Sequence, residues 1–389
     1  MFLDLGLSPV ADAYTNTPHD PVNKFALELA VCGECRLVQL LEVLSDQFLF
    51  GTGYSFYSSA SPPLSAYHAA YAQDVLTNHA ELADSLVIEV GCNDGDLLRH
   101  FSREHYAIGI DPAEGPVEVA RERGLQVRNE ALTAELGFEI AGTFGTAGIV
   151  IANHVLAHVA DVNDFLQGLA HMAGRNGIVM IEVQYLPDLF VNNAFDLVYH
   201  EHRNFFSLTS LEQAARRVGL NVVDAELTSR QGGSLRVTLS KRPAESVAST
   251  SRVRTILHSE QWLQDWGPYA GFQGRVERIK TRLLELIWAE QKRGYVVGFG
   301  APAKATTLLN FCGIDDTMLM YVIDSTPAKQ GRFIPGTGLQ ILDPARDDEP
   351  ADTYLLLSWN YAPEIMRGNR SFTMGEGRWI IPIPAPMML

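Results

Sequence analysis

The sequence is short of cysteine, of basic residues and of long apolar runs. Four cysteines in 389 residues cannot frame a chain of this size, which argues against a disulfide-built secreted scaffold. Thirty lysines and arginines face 46 aspartates and glutamates, a formal net charge of −16. A general nucleic-acid binder needs a basic surface, so that class is disfavoured. A local basic site for a phosphorylated substrate stays open. No apolar run approaches the roughly 20 residues of a membrane span. The start, MFLDLGLS, has neither the basic n-region nor the long apolar core of a signal peptide, so the cytoplasm is the expected compartment. What remains is a chain with an ordinary 47% of hydrophobic residues, long enough for two or three domains.

The organising stretch is LVIEVGCNDGDLLRHF, residues 86 to 101. Leu86 to Val90 is an apolar run of strand length, Gly91 to Gly95 is a glycine-punctuated turn, and Asp96 to Phe101 opens a helical pattern. Strand, Gly-rich turn and helix make the first βα unit of a nucleotide-binding sheet. The dinucleotide pattern G-x-G-x-x-G is missing, because position 93 is Asn. The turn E-x-G-x-N-D-G, with Glu89 in the strand before it, resembles motif I of the class I S-adenosylmethionine (SAM) methyltransferases. There the loop holds the amino-acid end of SAM. YAIGID, residues 106 to 111, ends in Asp111, 20 residues after Gly91, where an acid accepts from ribose hydroxyls. Glu89, Gly91, Asn93, Gly95 and Asp111 are therefore the expected cofactor residues. Asn153, at the end of the fourth strand, joins them.

The remaining strands follow in order. GIVIAN (148 to 153), NGIVMIEV (176 to 183), LNVVDAEL (220 to 227) and SLRVTLSK (234 to 241) extend the set begun by residues 86–90, 106–111 and LQVRNE to seven. That fits an α/β class I methyltransferase sheet of Rossmann-like type, its last strand antiparallel. Upstream, Cys32-Gly-Glu-Cys35 sits between two alternating apolar runs as a zinc-knuckle hairpin. A structural zinc needs four ligands and a second C-x-x-C is missing. Either that pair lay upstream of Met1, or the site is degenerate and empty. Downstream, YVVGFGAPAKATTLLNFCG, residues 295 to 313, repeats the strand, Gly turn and helix. MLMYVIDS (318 to 325) and TYLLLSW supply further strands of a second, smaller Rossmann-like unit. Lys304, at the start of its helix, is either a phosphate contact or a helix-capping charge. The expected domains are residues 1–50, 51–242, a helical linker 243–292, and 293–389.

YHEHRNFFS, residues 199 to 207, is the most unusual stretch and follows the fifth strand. Its histidines do not match H-E-x-x-H metal spacing. If the segment turns, Tyr199 and His202 share a face, and a histidine suits proton abstraction at neutral pH. His200 reads as a packing residue. In ANHVLAHV, His154 and His158 share a helical face if a helix begins there. Tyr54 and Tyr57, in a Gly/Ser-rich segment, are placed to line a pocket, whereas Tyr67 and Tyr71 read as core.

These motifs in this order, from LGLSPVADAY…CGECRLVQL through EVGCNDG, ANHVLAHV, YHEHRNFFS, GGSLRV, GFGAPAKATTLLN and DSTPAKQGRFIPGT to SWNY and PIPAP, cover nearly the whole chain. They resemble the three-domain sugar C-methyltransferases that act on TDP-linked 4-keto deoxysugars in antibiotic pathways. The resemblance implies an active-site Tyr199, Glu201 and general base His202, a further active-site His158, and a tyrosine at Tyr54 or Tyr57. It implies a nucleotide-sugar substrate between the middle and C-terminal domains, with Gly232 and Ser234 of GGSLRV and Lys304 facing it. Three departures stand out: the family's first C-x-x-C is absent, so its zinc is in doubt; Gln231 stands where His is usual; and GTAG replaces an Asp-bearing lead into the fourth strand. The expected reaction is base-generated enolate formation and methylation on carbon. O- or N-methylation of a small molecule, and a non-catalytic SAM-binding protein, are the competing readings.

Overall fold

Three short strands open the chain: β1 (Leu3–Pro9), β2 (Lys24–Val31) and β3 (Val38–Leu40). They pair antiparallel in sequence order. Leu27 and Leu29 alternate inward along β2, the period-2 pattern of a half-buried strand. The computed structural model describes residues 1–50, 56–82, 84–102, 106–228, 233–242, 249–346 and 351–389.

The central sheet is built from β4 (Val87–Val90), β5 (Ala107–Ile110), β6 (Gln126–Arg128), β7 (Ala147–Asn153) and β8 (Ala173–Gln184). After the short β9 (Asn204–Phe205) it is completed by β10 (Asn221–Thr228) and β11 (Ser234–Ser240). Its order is β10-β11-β8-β7-β4-β5-β6. The five strands β4 to β8 run parallel, and β11 is antiparallel to both β8 and β10. The seven-stranded expectation holds, with boundaries moved by one to three residues. β4 and β5 are buried on both faces, which is why they read as continuous apolar runs. Glu89 is the one charge in β4.

β9 does not join the central sheet. It pairs antiparallel with β3, Val38 opposite Phe205 and Gln39 opposite Asn204. The stretch singled out for chemistry therefore supplies the fourth strand of the N-terminal sheet.

The C-terminal unit holds β12 (Val296–Phe299), β13 (Val322–Ile323), β14 (Ile341–Leu342), β15 (Thr353–Leu356), β16 (Arg378–Ile381) and β17 (Met387–Met388). The order is β14-β13-β12-β15-β16-β17, parallel except for the last. The strand expected over 318–325 shrinks to two residues. The Asp315 side chain accepts from the backbone and hydroxyl of Thr317, a local turn that competes with strand pairing. One apolar core joins β1 and β2, the helix Phe272–Gln291 and this unit, through Leu3, Leu29, Phe190, Phe272 and Leu308. Among the described residues no helix is long and apolar enough to cross a membrane.

Candidate active site

The residues expected to hold the cofactor lie at the carboxyl ends of β4, β5 and β7. Gly91 and Gly95 both have positive φ, +73° and +75°. A Cβ at Gly91 would overlap the Val155 side chain, and one at Gly95 would overlap Leu125, so both turns require glycine. Asp111 accepts from the Asn93 backbone N–H and the Ala113 backbone N–H, each at 2.8 Å. That ties the loop after β4 to the turn after β5. Asn93, itself at φ +51°, accepts from the Ser58 N–H at 2.9 Å and donates to the Phe56 carbonyl at 3.1 Å, laying the segment before the helix Pro62–Asn78 over the loop. Burial, with the charges of Asp111 and Asp96, pushes Glu89 well above the usual carboxylate range. Burial raises Asp111 too, opposed by its two backbone donors. Glu89 Oε2 and Asn153 Oδ1 are buried without a hydrogen-bond partner among the described residues. Open glycine turns, orphaned acceptors and an acid at the pentose position fit a cofactor with ammonium and hydroxyl donors, as SAM has.

The segment after the 3₁₀ turn Phe195–Leu197 turns rather than extends: the His202 N–H donates to the Tyr199 carbonyl at 2.9 Å. Tyr199 and His202 thereby share a face, their ring centroids 4.0 Å apart. Tyr199 Oη lies 2.8 Å from His202 Nε2, and His202 Nδ1 lies 2.8 Å from the Leu197 carbonyl. A carbonyl only accepts, so Nδ1 carries the proton and Nε2 holds the basic lone pair. Burial, then His158 beside it, pushes His202 well below the ordinary histidine value, with the Leu197 carbonyl opposing. His158 stands 5.1 Å away, ring to ring. Its Nδ1 is 2.5 Å from the Glu201 carbonyl, and burial lowers it to about 4.

The remaining expectations divide. Glu201 is buried, and burial together with the charge of Asp12 raises its carboxyl to about 7; it looks toward the N-terminal segment. His200 packs edge-on to Phe25 at 5.9 Å, as a packing residue should. His154 and His158 do not share a helical face. His154 takes a left-handed φ of +56°, and Asp161, capping Asn163 and Asp164, delays the helix to Val162. Tyr57 is brought beside the start of the helix after β5: a Cβ at Gly115, four residues beyond Asp111, would come within 2.8 Å of its hydroxyl. Among the described residues, Tyr199 is the tyrosine hydrogen-bonded to His202. Lys304 is turned inward. Its ammonium meets Asn360 Oδ1 at 2.8 Å, Asp196 Oδ2 at 3.8 Å and the Trp359 ring at 3.9 Å, and burial lowers it to about 8, against the opposing charge of Asp196. It is a joint between units rather than an open phosphate contact. Ser234 is buried at the start of β11, opposite Gln184. Tyr54 and Gly232 lie outside the described residues.

Two features escaped the sequence pattern. Arg203, buried to 2% exposure, donates to the His158 carbonyl at 2.8 Å and the Leu44 carbonyl at 2.6 Å, and pairs with Asp46 at 2.5 Å. With Asn204, which donates to the Val159 carbonyl at 2.8 Å, it stitches YHEHRN to the loop after β7. Glu182, fully buried near the end of β8, accepts from Tyr67 Oη at 2.7 Å and Arg236 Nε at 3.0 Å. A lone acid near the end of an apolar strand, as at Glu89, was the available signal. Tyr67 is accordingly a network member as well as a core residue.

Cys32 and Cys35 lie in the β2–β3 turn, where the Cys32 N–H donates to the Leu37 carbonyl at 2.8 Å. Backbone N–H groups lower Cys32, while burial raises Cys35. Among the described residues no group of three His, Cys, Asp or Glu side chains is placed to hold a metal. Two thiols do not satisfy a tetrahedral zinc, so the ligand set present does not fit one.

A seven-stranded sheet with one inserted antiparallel strand, a glycine-turned loop after β4 and an acid ending β5 define a SAM-dependent methyltransferase of class I fold. Three family models match the chain: "Putative zinc binding domain" over residues 1–50, "Methyltransferase domain" over 65–225 and "C-methyltransferase C-terminal domain" over 229–384. The C-methyltransferase NovU of Streptomyces niveus is 34% identical over 370 residues, 94% of this chain and 88% of that protein. A ubiquinone biosynthesis O-methyltransferase of Azorhizobium caulinodans is 32% identical over 124 residues, 28% of this chain and 48% of its own length. Among solved structures, a SAM-bound magnesium protoporphyrin IX methyltransferase from Synechocystis PCC 6803 is 16% identical. It covers 50% of this chain and 88% of its own, at TM-score 0.35, a level on which no argument rests. The chain belongs to the C-methyltransferase family and is a SAM-dependent enzyme.

Proposed function

We propose that the enzyme methylates a TDP-linked 4-keto-deoxysugar on the carbon next to the ketone, through an enolate. The single observation that carries this reading is the fixed tautomer of His202. A nucleophile on carbon must first lose a C–H proton, which an oxygen or nitrogen acceptor needs far less. His202 suits that proton transfer. It is neutral and desolvated, with its Nδ1–H anchored on the Leu197 carbonyl and its Nε2 lone pair presented beside Tyr199. The similarity to a C-methyltransferase over nearly the whole chain and the order of motifs support the acceptor class.

In the mechanism, His202 Nε2 takes the proton alpha to the ketone. Tyr199 Oη, released from Nε2 as that nitrogen is protonated, donates to the developing enolate oxygen. His158, kept neutral by burial and oriented by the Glu201 carbonyl, stands beside His202 and helps to exclude water. Glu89, Gly91, Asn93, Asp111 and Asn153 are the residues to hold SAM, which supplies an electrophilic methyl group to the enolate carbon.

Mass spectrometry of a panel of TDP-4-keto-deoxysugars, after incubation with SAM in D₂O, tests this reading. A product carrying a new methyl on carbon is expected. Methylation on oxygen or nitrogen, with no deuterium entering beside the ketone, would reject it.

A further inference from the structure

The turn that orients His202 is gripped from the C-terminal unit. Its residues, Phe195 to Leu197, end in the carbonyl that accepts the His202 Nδ1 proton at 2.8 Å. Asp196, in the middle of the turn, is fully buried. Its Oδ2 accepts from Trp359 Nε1 at 2.6 Å and lies 3.8 Å from the Lys304 ammonium. Lys304 donates to Asn360 at 2.8 Å and stands 3.9 Å from the centre of the Trp359 ring. Thr307 Oγ1 donates to the Val198 carbonyl at 2.9 Å. Phe311 meets Phe195 edge to face, their ring centroids 5.2 Å apart. Lys304, Thr307 and Phe311 share one helix, Ala303–Cys312, while Trp359 and Asn360 belong to the 3₁₀ turn Trp359–Tyr361. An apolar pair of similar volume would join two units as well as a buried ion pair does. A charged pair adds direction, and this one is aimed at the residue before Leu197.

We propose that Asp196 and Lys304 are positioning residues for His202: they let the C-terminal unit set the Leu197 carbonyl, and through it the tautomer and direction of the imidazole. The proposal rests on the reading of His202 as the base. Neither residue touches the reacting atoms. Their effect passes through one backbone group. The Leu197 carbonyl keeps the proton on Nδ1 and the lone pair on Nε2 beside Tyr199. If the turn slackens, the ring can rotate or exchange tautomers, and Nε2 no longer points steadily at one place. Misplacement of a reacting group by about 1 Å costs about 10²-fold in rate. Thr307 acts in the same sense on the next carbonyl, with one neutral hydrogen bond. The base is thus completed by a unit whose helix lies far along the chain, and proton abstraction depends on how the C-terminal unit is seated.

The test separates the proton step from binding. Deuterium exchange beside the ketone of a TDP-4-keto-deoxysugar, in D₂O with S-adenosylhomocysteine in place of SAM, reads the base alone. Steady-state kcat and KM with SAM complete the comparison of wild type, Asp196→Asn, Lys304→Met, Thr307→Val and His202→Asn. In Asp196→Asn and Lys304→Met, exchange and kcat should fall together by about 10- to 100-fold, with KM for the sugar little changed. The acidic limb of kcat should move to lower pH. The Leu197 carbonyl favours the protonated ring, whereas His158 and His154, which oppose it, stay in place. Thr307→Val should lower exchange a few-fold with the same direction of shift, and it decides alone if the ion-pair variants do not fold. A raised KM with unchanged kcat would make Lys304 a substrate contact and overturn the proposal, as would unchanged exchange and an unmoved acidic limb. Loss of exchange in His202→Asn with wild-type exchange in the other three would reject the positioning role alone. Wild-type exchange in His202→Asn would reject the base and this proposal together.

Discussion

Tyr199 Oη and His202 Nε2 stand 2.8 Å apart, three residues from each other in one turn. With the Leu197 carbonyl on the opposite nitrogen, both faces of the imidazole are assigned before substrate arrives. In the proposed reaction that hydroxyl is also a donor beside the base once the base is used, so that one pair of side chains would serve both deprotonation and oxyanion stabilisation.

His202→Asn should lower kcat by about 10²–10⁴, the usual worth of a general base, and abolish deuterium wash-in beside the ketone. Because burial holds His202 below the ordinary 6.5, the acidic limb of the wild-type kcat profile should fall below pH 6.5. Steady-state rates from pH 4.5 to 9 check both, and near-wild-type turnover by the variant would remove His202 from the mechanism.

Glu201 sets a stability trend. Its carboxyl rises from 4.5 to about 7 in the fold, so between those values the folded chain binds the extra proton. Its contribution is full below about pH 4.5 and is lost as pH rises through 7. Glu201→Gln should remove that loss, so the variant gains on wild type in denaturant midpoint between pH 5 and pH 8. His158, lowered to about 4, acts with the opposite sign, its stability lost as pH falls from 6.5. The comparison therefore needs the variant and not wild type alone.

Gly91→Ala combines a left-handed φ with overlap on Val155. A loss of about 1–3 kcal/mol in stability is expected from the backbone strain. SAM affinity should fall with it, read by urea unfolding and calorimetry side by side. An alanine variant with wild-type affinity would mean the loop after β4 does not cradle the cofactor.

Arg203→Met leaves the His158 and Leu44 carbonyls without their donor. At about 1–3 kcal/mol for each unsatisfied group, a loss of roughly 2–5 kcal/mol is expected. Asp46→Asn should cost under about 1 kcal/mol, because Asp46 is more than half exposed. Equal losses in the two variants would show that the ion pair, and not the carbonyl bridge, is what matters.

Extended dialysis of the chain against a zinc chelator should leave its thermal midpoint unchanged, since two thiols alone do not fit a structural zinc. A drop of several degrees would reveal a ligand set beyond Cys32 and Cys35.

The central sheet was legible because its period is local. Apolar runs such as VIEV and GIVIAN announce buried parallel strands, and Gly91, Gly95 and Asp111 announce the loop and its acid. The turn that unites Tyr199 with His202 was half legible: the i,i+3 spacing named the pair, but only the backbone bond between them decides for a turn. What stayed hidden depends on distant partners. Arg203 meets a carbonyl 159 residues away, and no local pattern encodes that. Lys304 looked like an open charge because Asp196 and Asn360, which absorb it, lie 108 and 56 residues off. The spacing after β7 allows a helix from His154 but does not require one. Asp161, an N-cap a few residues later, determined otherwise.

β9 belongs to the sheet of the first fifty residues, yet it follows the proposed base by only two positions. The units of this enzyme are therefore not interchangeable parts. A chimaera that imports residues 1–50 from a relative also imports the edge against which His202 is held. Recombination at that seam should change the tuning of the base even when every residue of YHEHRN is kept.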